Sequence, residues 1–121
     1  MIAKRHKLGR YLIIEISDEF TIIADLQELD IFIDGLIQQG QRFLALRFEQ
    51  VSYIYSGALS VLLKNVRKLR DHEGDICLLE PNREIADLIR ITNLHKTLRI
   101  FNTEEELLSH QERALPVSGK S

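Results

Sequence analysis

Two periodicities alternate along the second half of the chain, and this alternation limits the possible folds more than any other feature. Phe43–Phe48 and Asp75–Leu79 are short runs that are apolar on both faces, which is typical of central strands. Apolar residues between and after them recur at the three- and four-residue spacing of helices, and Thr97–Phe101 reads as a further strand. Strands joined through helices form parallel or mixed sheets that the helices cover. The sequence therefore predicts an α/β fold.

The same patterns extend this prediction to the whole chain, as a mixed sheet of four to five strands flanked by about four helices. Tyr11–Ile16 alternates like a strand, and residues 2–6 are expected to pair with it across a turn at residues 8–10. Glycine at position 40 and asparagine at position 93 are suitable left-handed helix ends. The predicted helices run from a cap at Thr21 to Gly40, from about Gly57 to Arg70, from Pro81–Asn82 to Asn93, and from a capping box at Thr103 and Glu106 through Leu108.

The second predicted helix divides into a buried arc and a solvent-facing arc. Leu62 is expected at the centre of the buried arc, against the strand Phe43–Phe48. The other members of the buried arc are Ala58, Leu59, Leu63, Val66 and Leu69, whereas the outer arc contains Gly57, Ser60, Lys64, Arg67, Lys68 and Asp71.

Composition excludes several classes of protein. A chain of 121 residues suits one domain, which we place at residues 1–113, with residues 114–121 as a disordered tail. A net charge of −2 argues against a nucleic-acid binder. The longest uncharged stretch, Gln50–Leu63, has 14 residues, fewer than the roughly 20 that span a bilayer, so no direct membrane insertion is expected. The single cysteine, Cys77, fits a reducing cytoplasm and the role of a core thiol.

No recognisable catalytic or metal constellation is present in the sequence. The four histidines are far apart, and Cys77 lies within a strand, so neither a metal site nor any other cofactor is predicted. A glycine-rich phosphate loop is absent as well, and the acidic pairs resemble solvated helix ends. We therefore expect that the protein is not an enzyme.

The most informative segment is YIYSGALSVLL, residues 53–63, in which a strand leads through a turn into a helix. Ser56 and Gly57 stand at the start of that helix, where free main-chain N–H groups suit an anion or a phosphate. An esterase elbow is excluded, because it would need glycine at Ile54 and at Ala58. The alternative is that Ser56 only caps the helix.

From about Arg10 to Leu108 the sequence resembles the STAS domain of bacterial anti-sigma-factor antagonists. The likeness is carried by LRFEQVSYIYSGALSVLL and by GDICLLEPNREIADLIRITNLHKTLRIFNTEEELL, in which strands, turns and helices follow the family's order and spacing. The resemblance implies a mixed sheet flanked by helices. It also implies an antagonist that binds an anti-sigma factor, itself a serine kinase that phosphorylates the second serine of an Asp-Ser-Ser-Gly-Leu motif.

This chain departs from that phosphorylation motif. Tyr55 occupies the position of the motif's Asp, Ser56 matches the first serine, Gly57 occupies the phosphorylated position and Ala58 replaces the glycine. Upstream, Arg47 replaces an Asp, and Asp18 stands where the family usually has Gly. The resemblance therefore implies the fold and the partner class, with a degenerate switch.

These observations lead to one functional interpretation and one alternative. The chain is interpreted as a cytoplasmic, non-enzymatic interaction module that binds an anti-sigma factor or switch-type serine kinase and regulates transcription, without the usual serine phosphorylation. The alternative is an accessory subunit of an ABC-type lipid transporter, because some STAS proteins of that kind have a hydroxyl residue followed by Gly, as in Ser56-Gly57. A homodimer is compatible with either. The expected partner-binding residues are Ser56, Gly57, Ser60, Lys64, Arg67 and Lys68.

Overall fold

A five-stranded sheet in the order β1-β2-β3-β4-β5 forms the centre of the structure, a computed structural model that describes residues 2–16, 23–48 and 56–114. The strands and helices alternate after an initial hairpin. Their bounds are β1 Ile2–Leu8, β2 Tyr11–Ile16, α1 Ile23–Gln38, β3 Phe43–Phe48, α2 Ser56–Asp71, β4 Asp75–Leu79, α3 Arg83–Ile91, a 3-10 turn at Leu94–Lys96, β5 Arg99–Phe101 and α4 Glu104–Ala114.

The sheet is mixed, as the sequence predicts. β1 and β2 form an antiparallel hairpin in which Leu8 pairs with Tyr11 across the turn. β2, β3, β4 and β5 are parallel, because a helix connects each strand to the next and returns the chain to the same end of the sheet. Spatial order therefore equals sequence order throughout the sheet.

The helices cover the two faces of the sheet unequally. α1, α2 and α3 pack on one face, over alternate strand residues such as Ile14 and Leu46, and Leu62 lies fully buried in this layer. On the other face, Leu107 of α4 packs into a smaller cluster that includes Ile13 and the buried thiol of Cys77. The expectations for Leu62 and for Cys77 as core residues are thus confirmed. Leu63, predicted on the buried arc of the second helix, is only half-buried.

Most predicted element boundaries agree with the structure, and the last strand is the clearest exception. The prediction begins this strand at Thr97, whereas β5 begins at Arg99. Asn93 adopts φ +63° and ends α3 as expected, but a 3-10 turn follows, and the N–H of Thr97 donates to the carbonyl of Leu94 at 2.9 Å. The main chain of Thr97 is consequently committed to the turn and cannot start a strand.

The helix caps also follow the sequence closely. The side chain of Asn82 accepts a hydrogen bond from the N–H of Ile85 at 2.8 Å and so caps α3. At α4, Thr103 accepts from the N–H of Glu106 as the capping box requires, while the Glu106 carboxylate accepts from the N–H of Asn102 instead of that of Thr103. The proposed cap at position 21 and the tail beyond residue 114 lie outside the described residues.

Gly74 fixes the junction between α2 and β4. A β-carbon at this position would lie 1.9 Å from the main-chain oxygen of Arg42, which also accepts a hydrogen bond from the N–H of Asp75 at 2.9 Å. Only glycine allows the two main chains to approach this closely. The turn therefore sets the alignment of β4 against the start of β3.

Candidate partner-binding site

The candidate site lies where α2 begins, beyond the carboxyl end of β3. Ser56 is the first residue of α2, one residue earlier than predicted, and Gly57 in the first turn is half-buried. Position 55 of the motif lies outside the described residues, and only the main chain of Ser56 and Ala58 belongs to the described structure. The structure thus places the start of the helix and the outer surface that continues from it.

The outer face of α2 carries one hydroxyl and three cationic side chains. Ser60 and Arg67 are exposed, and the side chain of Lys64 is 59% exposed. The side chain of Lys68, predicted on the exposed arc, is only 25% exposed, since it lies against α1. Arg67 forms no ion pair with any residue in the described ranges.

Two aspartates of α1 form ion pairs with the two lysines of this face. Lys64 Nζ donates to Asp30 Oδ2 at 2.8 Å, and Lys68 Nζ donates to both Asp30 and Asp34. Asn65, fully buried, donates through Nδ2 to Asp30 at 3.1 Å. We call these five residues the α1–α2 polar cluster.

The α1–α2 polar cluster shifts the ionisation of its members. The hydrogen bond from Lys64, aided by those from Asn65 and Lys68, holds the pKa of Asp30 below its ordinary value. Partial burial lowers the pKa of Lys68, but the hydrogen bonds to Asp34 and Asp30 outweigh burial, and the net pKa is raised. Both effects favour the charged forms that join the two helices.

The acidic half of this cluster is what sequence reasoning missed. The sequence assigns Lys64 and Lys68 to the partner-binding surface, whereas the structure pairs both with aspartates of α1. A signal was present: Asp30 and Asp34 have the same four-residue spacing as the two lysines, so each pair occupies one side of its helix. Arg67 is the remaining unpaired cation of the predicted set within the described ranges.

A second charged cluster lies at the end of β3, around Arg47, whose side chain is 12% exposed. Its guanidinium contacts Glu15 of β2 at 3.0 Å, Glu80 after β4 at 3.2 Å and Glu104 of α4 at 2.6 Å. We call these four residues the Arg47 cluster. Burial lowers the pKa of Arg47, but the hydrogen bonds with Glu104 and Glu15 and the charges of Glu80 and Glu104 outweigh it, so the net pKa is raised. One side chain thus ties two strands and α4 together.

The comparison with protein families decides how this arrangement is interpreted. The model of the STAS domain family matches residues 4–107, which include every strand from β2 to β5 and all of α1–α3. The chain belongs to the STAS domain family. The sheet order and the position of α2 described above are those of its STAS domain.

Two curated relatives of this STAS domain are named as candidate anti-sigma factor antagonists. BtrV of Bordetella bronchiseptica is 24% identical over 93 residues, which cover 77% of this chain and 80% of BtrV. A Thermotoga maritima protein is 23% identical over 108 residues, which cover 82% of this chain and 96% of the relative. The chain is therefore an anti-sigma-factor-antagonist-like STAS domain.

Solved structures show the same fold. The structure of TM1081 matches with a TM-score of 0.77 and 20% identity, over 90% of this chain and 87% of TM1081. Unphosphorylated SpoIIAA, an anti-sigma factor antagonist, matches with a TM-score of 0.72 and 20% identity, over 95% of this chain and 99% of SpoIIAA. These likenesses confirm the predicted mixed α/β architecture.

Two further observations concern metal binding and membrane insertion. Within residues 2–16, 23–48 and 56–114, no group of three His, Cys, Asp or Glu side chains is placed to hold a metal ion. No helix in the described parts of the chain is long and apolar enough to cross a membrane.

Proposed function

We propose that this STAS domain is a non-enzymatic module that regulates transcription by binding an anti-sigma factor or switch-type serine kinase through the start and outer face of α2. The observation that carries the proposal is the family match over residues 4–107. The exposed side chains of Ser60, Lys64 and Arg67, which follow Gly57 along α2, support the choice of this surface. Both curated relatives named as candidate antagonists support the partner class.

The binding surface can be tested through Arg67, since this cation is exposed and outside the α1–α2 polar cluster. Arg67→Glu is expected to weaken association with an acidic partner surface, chiefly by slowing the association rate, while leaving stability nearly unchanged. Arg83→Glu on α3, whose side chain is 94% exposed, is the matched control for the charge change. Calorimetry and stopped-flow mixing with the purified partner would measure the affinity and the association rate. Equal affinities of Arg67→Glu and Arg83→Glu would contradict an interface at Arg67.

The predicted partner residues Lys64 and Lys68 require a different design. Replacing both by Glu would place two acids beside Asp30 and Asp34, so that lost binding could reflect a disturbed α1–α2 pair. Adding Asp30→Asn and Asp34→Asn to the double variant removes that repulsion. If this quadruple variant folds normally and still binds less tightly, the lysines contact the partner; restored binding would assign them to the helix pair alone.

The proposal also includes the loss of the ordinary phosphorylation switch. Gly57 occupies the acceptor position and has no hydroxyl, and the neighbouring Ser56 lies about 100° around the helix from it. A phosphate at the acceptor position would add a dianion to the interface, which is how such a modification alters binding. The structure of SpoIIAA has been solved in a phosphorylated form, so a fold of this type accepts the modification.

A gain-of-function variant tests the loss of the phosphorylation switch. The wild-type protein and Gly57→Ser would each be incubated with the partner kinase and ATP, and phosphosites would be mapped by mass spectrometry. We expect phosphate on position 57 of the variant and almost none on the wild type. Near-stoichiometric phosphate on Ser56 of the wild-type protein would contradict the proposal and restore an ordinary switch with a shifted acceptor.

The binding and phosphorylation experiments require an identified partner. Affinity capture from the native cell followed by mass spectrometry is expected to recover an anti-sigma factor or a serine kinase. Recovery of a membrane-associated transport ATPase in detergent would instead favour the alternative function, an accessory subunit of a lipid transporter.

A further inference from the structure

The outer side of β1 pairs with no other strand of the described sheet, because β1 is the first strand in its spatial order. β1 has seven residues, whereas β5 at the opposite side of the sheet has only three. The register of β1 against β2 shifts between Ile2 and Lys4 and is regular from there to Leu8. Alternate residues of an antiparallel pair direct their main-chain N–H and C=O groups away from the partner strand, where a further strand can bind them. We call Lys4–Lys7 the β1 edge.

Every side chain of the β1 edge is cationic or titratable. The four residues, all exposed, are Lys4, Arg5, His6 and Lys7. Within the described ranges, neither lysine nor the arginine forms an ion pair, and the one carboxylate near the edge is that of Glu104, 3.9 Å from His6. The two lysines and the arginine carry a charge of +3, so the rest of the chain carries −5. Positive charge is therefore concentrated on this edge.

The cations of the β1 edge lie on both faces of the sheet. His6 pairs with Ile13, whose side chain packs on the α4 face. Arg5 pairs with Ile14, whose side chain packs on the opposite face, under α1–α3. Side chains of directly paired residues project to the same face, about 5 Å apart. A strand added beside β1 would thus meet positive charge on whichever face its own side chains project.

This charge pattern selects the occupant of the edge. A second copy of β1 is disfavoured, because two such strands would bring lysine and arginine side chains opposite one another, and like charges in that position destabilise a strand pair. Opposite charges in the same position stabilise it. Aspartate and glutamate on an incoming strand would satisfy the edge on both faces.

We infer that the β1 edge binds an extended acidic segment of a partner protein, which adds to the sheet as a further strand. Main-chain hydrogen bonds supply affinity in this mode of recognition, while Lys4, Arg5 and Lys7 select acidic side chains. The edge is separate from the surface on α2, since β2 lies between β1 and β3, the strand that precedes α2. The inference goes beyond the proposed function and does not depend on it.

The test uses the full chain, labelled with ¹⁵N, and a short peptide in which glutamate alternates with threonine. Amide spectra recorded during the titration should show saturable shifts centred on residues 4–8. Outward-facing amides of the β1 edge should also become protected from hydrogen exchange, because an added strand would accept their hydrogen bonds. A titration without saturable shifts at these residues would overturn the inference.

A second peptide separates strand addition from simple charge attraction. It has the same charge but proline in place of each threonine, and proline has no N–H to donate to a strand ladder. We expect much weaker binding of the proline peptide and no protection of the β1 amides. Equal binding of the two peptides would overturn the inference, because the edge would then be only a basic surface. This comparison uses the wild-type chain and so does not depend on the folding of any variant.

Matched variants locate the binding surface. Lys4→Gln combined with Arg5→Gln should weaken binding of the threonine peptide at least about threefold, because two cross-strand charge pairs are lost. Arg83→Gln combined with Arg90→Gln removes the same charge from exposed positions of α3 and should leave the affinity within about twofold. Equal loss in the two double variants, or shifts centred on residues 56–71, would contradict a site on β1.

Two other anionic partners complete the test. Duplex DNA and vesicles of anionic lipid would be added to the same labelled protein. Binding of either one, without protection of the β1 amides by the threonine peptide, would overturn the inference, because the positive charge would then serve a nucleic acid or a membrane surface.

Discussion

Arg47→Met removes the cation at the centre of the Arg47 cluster while keeping most of its volume. The cost can be estimated from the exposure of the three carboxylates. Glu15 is 14% exposed and loses a shielded partner, whereas Glu80 and Glu104 are 41% and 35% exposed and can be hydrated. Loss of one partner from a buried pair costs about 3–5 kcal/mol, and exposed pairs contribute about 0.2–1 kcal/mol each. Because Arg47 and Glu15 keep some exposure, we take the lower end of the range for a buried pair, and with the two exposed contacts we expect a loss of roughly 3–5 kcal/mol.

Urea unfolding followed by circular dichroism would measure this loss directly. In thermal melting, a chain of this size loses about 3–5 °C of melting temperature per kcal/mol, so the melting temperature should fall by roughly 9–25 °C. Arg83→Met is the control, since that arginine is 94% exposed and its loss should stay within about 0.5 kcal/mol.

A double variant tests whether the cost comes from an unpaired buried charge. Adding Glu15→Gln to Arg47→Met removes the shielded carboxylate, and at least about 1 kcal/mol of the lost stability should return. A single variant that matches the control, or a double variant no more stable than the single one, would refute the assignment of Arg47 as the tie between the strands and α4.

Three further predictions concern the core, the turns and acid stability. Leu62→Ala should cost about 2–5 kcal/mol in urea unfolding, because this leucine is fully buried; an unchanged midpoint would refute the packing. Gly35→Ala in α1 should stabilise the fold by about 0.5–1 kcal/mol, because nothing lies within 4 Å of its added β-carbon. Gly74→Ala should instead be strongly destabilising, because its β-carbon would collide with the main chain of Arg42. Similar effects of the two variants would refute the close approach of the main chains at Gly74. The hydrogen bond from Lys64 lowers the pKa of Asp30 from 3.8, so below about pH 4 the unfolded chain binds more protons than the folded one and stability falls. In Asp30→Asn this fall should be shallower, as melting between pH 5 and pH 2 would show.

Local pattern was enough to predict most of the fold. The apolar runs of β3 and β4 could only be central strands, and the caps at Asn82 and Thr103 are encoded in a few adjacent residues. β5 began later than predicted because a 3-10 turn satisfied the main chain of Thr97, and single-residue propensities do not reveal such a turn.

The candidate site was less predictable, because its charges are paired across elements far apart in sequence. Lys68 is 34 residues from Asp34, and Arg47 is 57 residues from Glu104. Helical spacing placed Lys68 on the outer arc of α2, but spacing cannot say that an acidic neighbour lies opposite. Contacts of this kind become visible only when the packing of α1 on α2 and of α4 on the sheet is known.

The equality of spatial and sequence order in the sheet has a consequence for how the chain folds. Leu12 pairs with Leu44 and Leu44 with Ile76, each 32 residues apart, while Leu78 pairs with Ile100 only 22 residues later. In the described sheet each strand pairs only with its neighbours in sequence order, so each loop that closes is short and its entropic cost is modest. Strands can therefore dock one after another as they leave the ribosome, with β5 completing the sheet last.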